Sequence, residues 1–289
     1  MTESFARQCS VVFLLIVISL QASLITASST DTPKRIISLA PNITEILFEL
    51  GVDDRLVGVS SFCDYPEAAK QKAKIGGFSN PSLEAVVALR PDLVLLTHDG
   101  NPKAFEERLR SMNIHTLVIQ SRKISDLPQS IRQIGAEVGS RDKAERLAVD
   151  IEKRLNDYRA KELLAGAHEK SPKKKKVLFI IWPDPLIVAG PGTTTHEALT
   201  LLGLENISGR TSTAYPKYSI EEILRQAPDV IFIGKGNGMD KVADGLLRRL
   251  NTVPAVRNGR VFYVSDYLYR LGPRTLNGVD ELAAHLKKP

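Results

Sequence analysis

Ser82-Leu83-Glu84-Ala85-Val86-Val87-Ala88-Leu89-Arg90-Pro91-Asp92-Leu93-Val94-Leu95-Leu96 returns, without a gap and 137 residues further on, as Ser219-Ile220-Glu221-Glu222-Ile223-Leu224-Arg225-Gln226-Ala227-Pro228-Asp229-Val230-Ile231-Phe232-Ile233. Ser, Glu, Pro and Asp coincide, and the apolar positions follow. A repeat at this spacing reads as one supersecondary unit used twice. Each copy predicts a helix capped by Ser, stopped before Pro-Asp, and followed by a buried strand. Two lobes built on one plan follow.

Outward from the repeat, short β-branched runs alternate with helical patterns, the arrangement of βα units around a largely parallel sheet. Strands are predicted at 35–39, 56–60, 93–96 and 116–119, then at 177–181, 186–188, 230–233 and 260–264. Asn42-Ile43-Thr44-Glu45 reads as a capping residue with Glu three positions later, opening a short helix that ends at Gly51. From Asp142 to about Leu164 there is no Pro or Gly, and Ala144, Leu147, Ala148, Ile151, Leu155 and Tyr158 recur at helical steps. That is one helix of about 35 Å, long enough to join two lobes, with Gly166 and Ser171-Pro172-Lys173 as its stop. The expected layout is an N-terminal lobe at 34–124, a linker with the long helix at 125–168, and a C-terminal lobe at 173–289.

The first residues read differently. Arg7, the apolar run Val11 to Leu20 and the small, polar stretch to Thr30 form a secretory signal layout. The run is too short to span a bilayer comfortably. Cleavage is expected after Ala27, with Ala22 as the other candidate, giving a signal peptide at 1–27. Cys9 precedes the apolar run, which argues against a lipid-modified cysteine at the cut. The mature chain then keeps only Cys63, so it has no internal disulfide and rests on its cores.

The 289 residues carry a formal net charge of +6, which raises the question of nucleic acid. Four of those charges sit together in Lys173-Lys174-Lys175-Lys176; without them roughly +2 remains, and no basic stripe interleaved with aromatics occurs elsewhere. The lysine run reads as a solvated loop and nucleic acid is excluded as a partner. Catalytic signatures are absent: no nucleophile elbow, no HExxH zinc helix and no phosphate loop occurs. His196-Glu197 starts like a zinc helix, but Thr200 stands where the second ligand belongs. Gly234-Lys235-Gly236-Asn237-Gly238 is too short for a dinucleotide fingerprint and reads as a turn. His98, just after a strand, reads first as a hydrogen-bonded loop histidine and second as a metal ligand. Cys63 reads first as an inert, partly buried thiol and second as a thiolate ligand. No metal site, resident cofactor or catalytic residue is predicted.

Aromatic placement says more. Phe62, Tyr65, Phe78, Trp182, Tyr215, Tyr218, Tyr267 and Tyr269 all fall in loops that follow or flank predicted strands, where α/β folds bind ligands. Such a set suits a large, flat, mostly apolar guest with a polar rim. Glu84 and Glu221, equivalent in the two repeats, either complement a helix dipole or offer two acidic knobs to a symmetric partner.

Arg35-Ile36-Ile37-Ser38-Leu39-Ala40-Pro41-Asn42-Ile43-Thr44-Glu45, Val57-Gly58-Val59-Ser60, Cys63-Asp64-Tyr65-Pro66, Gly76-Gly77-Phe78, Asn80-Pro81-Ser82-Leu83-Glu84, Ala189-Gly190-Pro191-Gly192-Thr193 and Ser265-Asp266-Tyr267 resemble the periplasmic binding proteins of ABC importers for cobalamin, haem and iron-siderophores. The resemblance covers nearly all of the mature chain. It implies an α/β fold of two Rossmann-like lobes joined by one long helix, the class III plan, with ligand in the cleft and little hinge motion. It also implies a monomer without catalytic activity in the periplasm, served by a permease dimer and its ATPase subunits. By motif, Glu84 and Glu221 take the role of the glutamates that engage permease arginines. The cobalamin branch is nearest, through the Asp64-Tyr65-Pro66 loop and the Gly77-Phe78 turn, and this carries a ring-lining role to Phe62, Tyr65, Phe78, Trp182, Tyr215 and Tyr267. With a single Trp in the chain, ring contacts must come mostly from Phe and Tyr. A haem cargo would recruit His98 or Tyr215 as axial ligand, and a siderophore would recruit Arg270 and Arg274. From a different class, a tetrapyrrole chelatase shares the two-lobed layout.

Overall fold

Period-two alternation along the buried strands decides which side of each sheet meets which core. In the computed structural model, which describes residues 32–168, 174–235 and 239–287, the chain from Pro33 onward forms one compact unit. Its first half contains β1 (Ile36–Ser38), α1 (Pro41–Glu49), β2 (Leu56–Val59), β3 (Ala73–Lys74), α2 (Leu83–Ala88), β4 (Leu93–Thr97), α3 (Lys103–Ser111), β5 (Thr116–Ile119) and α4 (Leu127–Glu137). The five strands pair in the order β3-β2-β1-β4-β5, all parallel. After α5 (Arg141–His168) come β6 (Lys176–Pro183), β7 (Leu186–Val188), α6 (Thr194–Leu201), β8 (Glu205–Asn206), α7 (Ile220–Gln226), β9 (Val230–Gly234), α8 (Met239–Arg249), α9 (Pro254–Arg257), β10 (Val261–Val264) and α10 (Thr275–Leu286). Here β10-β9-β6 run parallel, and β6 pairs β8 in parallel and β7 in antiparallel fashion.

Both repeat copies fold as predicted, down to their caps. Ser82 Oγ accepts from Ala85 N at 3.2 Å, and Ser219 Oγ accepts from Glu222 N at 3.1 Å. Each helix ends in a non-glycine residue with left-handed backbone at the equivalent position, Arg90 (φ 44°) and Ala227 (φ 49°). The shared Asp then anchors the amino end of the neighbouring strand. Asp92 accepts from Lys34 N and Arg35 N at 2.8 and 2.9 Å; Asp229 accepts from Lys176 N at 2.8 Å. A carboxylate there satisfies amides at a sheet end that have no other strand to pair with.

Two sequence readings need correction. Asn42 and Glu45 form no capping box: α1 begins at Pro41, its N-cap Ala40 has no side-chain cap, and both polar side chains serve contacts with the second half. The long helix does not stop at Gly166 but runs through it to His168, roughly 42 Å of helix. One glycine lowers helix stability by only about 1 kcal/mol, too little to end it. The signal layout at 1–27 and the stretch Ser171-Pro172-Lys173 lie outside the described residues, as do three residues of the Gly234–Gly238 turn.

The outer face of the first sheet buries Ile37, Val86, Val94, Leu96, Phe105 and Leu109, and the outer face of the second buries Leu178, Ile180, Ile223, Ile231, Ile233 and Leu246. The alternate positions, Ile36, Leu93 and Leu95 in one sheet and Val177, Phe179, Val230 and Phe232 in the other, belong to a single inner cluster. Ala144, Ala148, Ile151 and Leu155 of α5 are part of it, with Leu276 and Val279 of α10. The connecting helix is thus built into one apolar interior shared by both lobes. Polar clasps hold it on either side: Arg132 of α4 reaches Glu145 and Glu152, while Asp280 of α10 bonds Arg154 and Tyr158.

Candidate functional site

Parallel strands deliver their following loops to one edge of a sheet, and side chains there are free of the packing that fills the sheet faces. Phe62 and Tyr65 follow β2, Phe78 follows β3, and His98 follows β4. In the second half Trp182 ends β6, Tyr215 lies between β8 and α7, and Tyr267 and Arg270 follow β10. Seven of the eight residues singled out from the sequence thus follow or end a parallel strand, and Tyr215 lies on the segment that runs alongside β7. Phe62, Tyr65, Trp182, Tyr215 and Tyr269 are among the exposed large apolar side chains of the molecule.

The centre of the arrangement is a guanidinium. Arg274 donates from Nε and Nη2 to Glu45 of α1 at 2.9 and 2.5 Å. Its Cζ stands 3.7 Å from the ring centre of Tyr65 and 5.1 Å from that of Tyr267, so the charge is ringed by one tyrosine from each lobe. Glu45 is 2% exposed and Arg274 19%. Beside it, Arg270 donates to both oxygens of Asp64 and pairs through Nε with Asp266 at 3.1 Å. Asn42 Nδ2 adds a bond to Leu271 O at 3.2 Å. The segment after β10 is tied to the first lobe at three points.

These pairings set the local electrostatics. The Arg270 guanidinium holds the Asp64 carboxyl below its ordinary value, against a smaller opposing effect of burial. Hydrogen bonding to Glu45 pushes Arg274 up. Desolvation raises the Tyr215 hydroxyl, with Asp99 of the opposite lobe adding to it, and raises Tyr269, with Tyr215 and Asp266 adding there. Tyr269 thus senses Tyr215, and Tyr215 senses the charge of Asp99 in the other lobe.

Other candidates are placed differently. Phe78 is half-buried against the inner core, its ring lying on Gly100, where any Cβ would collide with it, and its carbonyl accepts from Asn101 Nδ2 at 2.7 Å. Phe62 lies over Gly77. Trp182 is 44% exposed, but its indole N–H is spent on Asp184 O at 2.7 Å and it makes no ring contact with another aromatic among the described residues. Tyr218 packs on the outer face of the second sheet with its hydroxyl on Ile207 O, and burial pushes it up to about 12, so it leaves the ring set. His98 is exposed, and among the described residues no group of three His, Cys, Asp or Glu is placed to hold a metal ion. Cys63 is buried against Thr44 and Ser60, and desolvation pushes its thiol up, which fits the inert reading.

The sequence reading missed Glu45 and left Arg274 to the siderophore alternative. The usable signal was Glu45 itself, a carboxylate between Ile43 and Leu47 on an apolar helix, which burial obliges to find a cation.

Glu84 and Glu221 are exposed in the first turns of α2 and α7. Ser82 N bonds Ile75 O just past β3, and Tyr218 N bonds Leu186 O beside the end of β6, so both helices start at the carboxyl edge of their own sheet. Neither carboxylate has an ion-pair partner among the described residues.

The sequence profile of the family described as periplasmic binding protein matches residues 36–268. A vitamin B12-binding protein of Vibrio vulnificus is 31% identical over 288 residues, covering 96% of each chain, and one of Pectobacterium atrosepticum is 29% identical over 256 residues, covering 88% of each. Among solved structures, the periplasmic vitamin B12-binding protein BtuF of Vibrio cholerae superposes with a TM-score of 0.77 at 28% identity, over 89% of this chain and 97% of that one. The periplasmic heme-binding protein RhuT from Roseiflexus, in apo form, gives the same TM-score and identity over 87% and 97%. Two parallel-sheet lobes, one connecting helix and a profile match over most of its length make this chain a member of the periplasmic binding protein family.

Proposed function

We propose that the chain is the ligand-capturing subunit of an ABC importer, holding a corrinoid such as cobalamin between its lobes and passing it to a permease dimer driven by ATPase subunits. It catalyses no reaction and carries no cofactor of its own; the metal arrives within the cargo. The observation that carries this reading is the pairing of Tyr65 and Tyr267, one from each lobe, about Arg274, with Phe62, Tyr215 and Tyr269 exposed on loops of the two lobes. Rings offer broad contact area to a flat guest, and tyrosine hydroxyls offer bonds to amides on its rim. Phe78 and Trp182 flank this set, Arg270 fixes its geometry, and His98 lies at its margin. The relatives named for vitamin B12 support the cargo, and the heme-binding neighbour makes haem the second reading.

Glu84 and Glu221 are the docking points for the permease: exposed, unpaired, and equivalent in the two lobes. The chain acts in the periplasm as a monomer after removal of the leader at 1–27. Titrating purified protein with cyanocobalamin in a calorimeter is expected to give saturable heat near one ligand per chain. No heat with any corrinoid, alongside saturable haem binding, overturns the cargo.

A further inference from the structure

Two guanidiniums cross the gap, and both arrive already paired. Arg274 spends Nε and Nη2 on Glu45, and its surroundings are taken by Tyr65 and Tyr267. Arg270 spends Nη1 and Nη2 on Asp64 and Nε on Asp266. Three carboxylates therefore face two cations. An arginine fork with free prongs is the ordinary way to hold a carboxylate or phosphate, because its geometry matches two oxygens. Here Glu45 takes the Nε and Nη2 edge of Arg274 and Asp64 takes the Nη1 and Nη2 edge of Arg270, which leaves Arg274 Nη1 as the one guanidinium nitrogen of the pair without a carboxylate among the described residues. An anionic guest would have to displace Glu45, leaving a carboxylate that is 2% exposed without a counter-charge, or bring a further negative group to Nη1 beside three carboxylates that already outnumber the two cations. Of the nearby loop cations, Arg122 is likewise paired, with both oxygens of Asp99, and Lys123, Arg210, Lys217 and Lys235 are exposed, where water and salt weaken their pull.

We propose that Glu45, Asp64 and Asp266, by neutralising Arg270 and Arg274, act as a charge filter. The cleft takes a flat macrocycle whose rim is amide or ester and rejects one whose rim carries free carboxylates. Haem, with its propionates, is discriminated against although its ring has the same breadth as a corrin. This inference rests on the reading of the cleft as a macrocycle site.

Two matched ligand pairs test it: cyanocobalamin against its monocarboxylate formed by hydrolysis of one side-chain amide, and haemin dimethyl ester against haemin. Within a pair only the rim charge differs. The wild-type chain is expected to bind the neutral member at least about tenfold more tightly, and Asp64→Asn and Glu45→Gln are expected to shrink that ratio towards one. Asp64 is half-exposed, so Asp64→Asn retains the fold and decides the matter even if Glu45→Gln does not fold. A wild-type ratio near one, or a ratio that Asp64→Asn leaves unchanged, overturns the filter. If only the haemin pair binds, the corrinoid cargo falls and the filter is judged on that pair; if neither pair binds, both proposals fall.

Discussion

Arg274→Ala removes the only cation bonded to Glu45 among the described residues, and Glu45 is a side chain with almost no access to water. Breaking a buried pair from one side costs about 3–5 kcal/mol, and a urea titration of the variant is expected to show a loss of that order. Arg274→Lys, which keeps charge but not the fork or the stacking, is expected to recover only part of it. His196 gives a second, pH-dependent test. Burial holds its imidazole below the ordinary value, with Glu197 opposing weakly, and its Nδ1 lies 3.0 Å from Asn206 Nδ2. That amide also donates to Ala189 O, and the Asn206 oxygen accepts from Ser208, so the amide orientation is fixed and the contact is a hydrogen bond only to an unprotonated ring nitrogen. The unfolded chain takes up its proton near the ordinary value of about 6.5 while the folded chain resists, so stability falls as pH drops below about 6.5. His196→Gln is expected to flatten the fall in melting temperature between pH 7.5 and 5.5; an unchanged slope removes His196 as its source. At this scale the sequence was least legible. Asn42 and Glu45 look like a cap because capping residues and buried ion-pair partners are the same amino acids, and only the fold tells them apart.

Elements were far easier to read. Strands such as Leu93–Thr97, Thr116–Ile119 and Leu186–Val188 stand within a residue of their predicted limits, because β-branched runs bounded by turns leave little freedom. The antiparallel direction of β7 was not legible, since a three-residue strand carries no sign of its partner's direction. Tyr218 was misassigned for a related reason: it shares a loop with Tyr215, yet the chain turns into α7 there and half-buries it against the outer core. The repeat gives the firmest prediction at this scale. Glu84 and Glu221 sit on equivalent, Ser-capped helices and have no partner within the described residues, so replacing both by Arg is expected to leave cyanocobalamin binding in place and abolish uptake in a reconstituted transporter. Unchanged uptake would return both to a role in complementing the helix dipole.

For the whole molecule, the decisive feature is that the inner cluster runs without a break from β1 and β4 through Ile151 and Leu155 of α5 to Phe179, Phe232 and Leu276. Leu155→Ala opens a cavity in that shared interior, and a loss of about 2–5 kcal/mol is expected. Fluorescence of Trp182, the single tryptophan of the second lobe and of the chain, and far-ultraviolet dichroism are expected to report one common midpoint in denaturant; two midpoints would mean that the lobes unfold separately. A slot whose walls back onto the same hydrocarbon has its aperture fixed when the chain folds. Under the proposed function, a disc-shaped guest is then expected to enter at a pace set by diffusion and by rotation of side chains, with no closing of jaws to wait for. Its ready departure would need something outside to take hold of both walls and lever them apart.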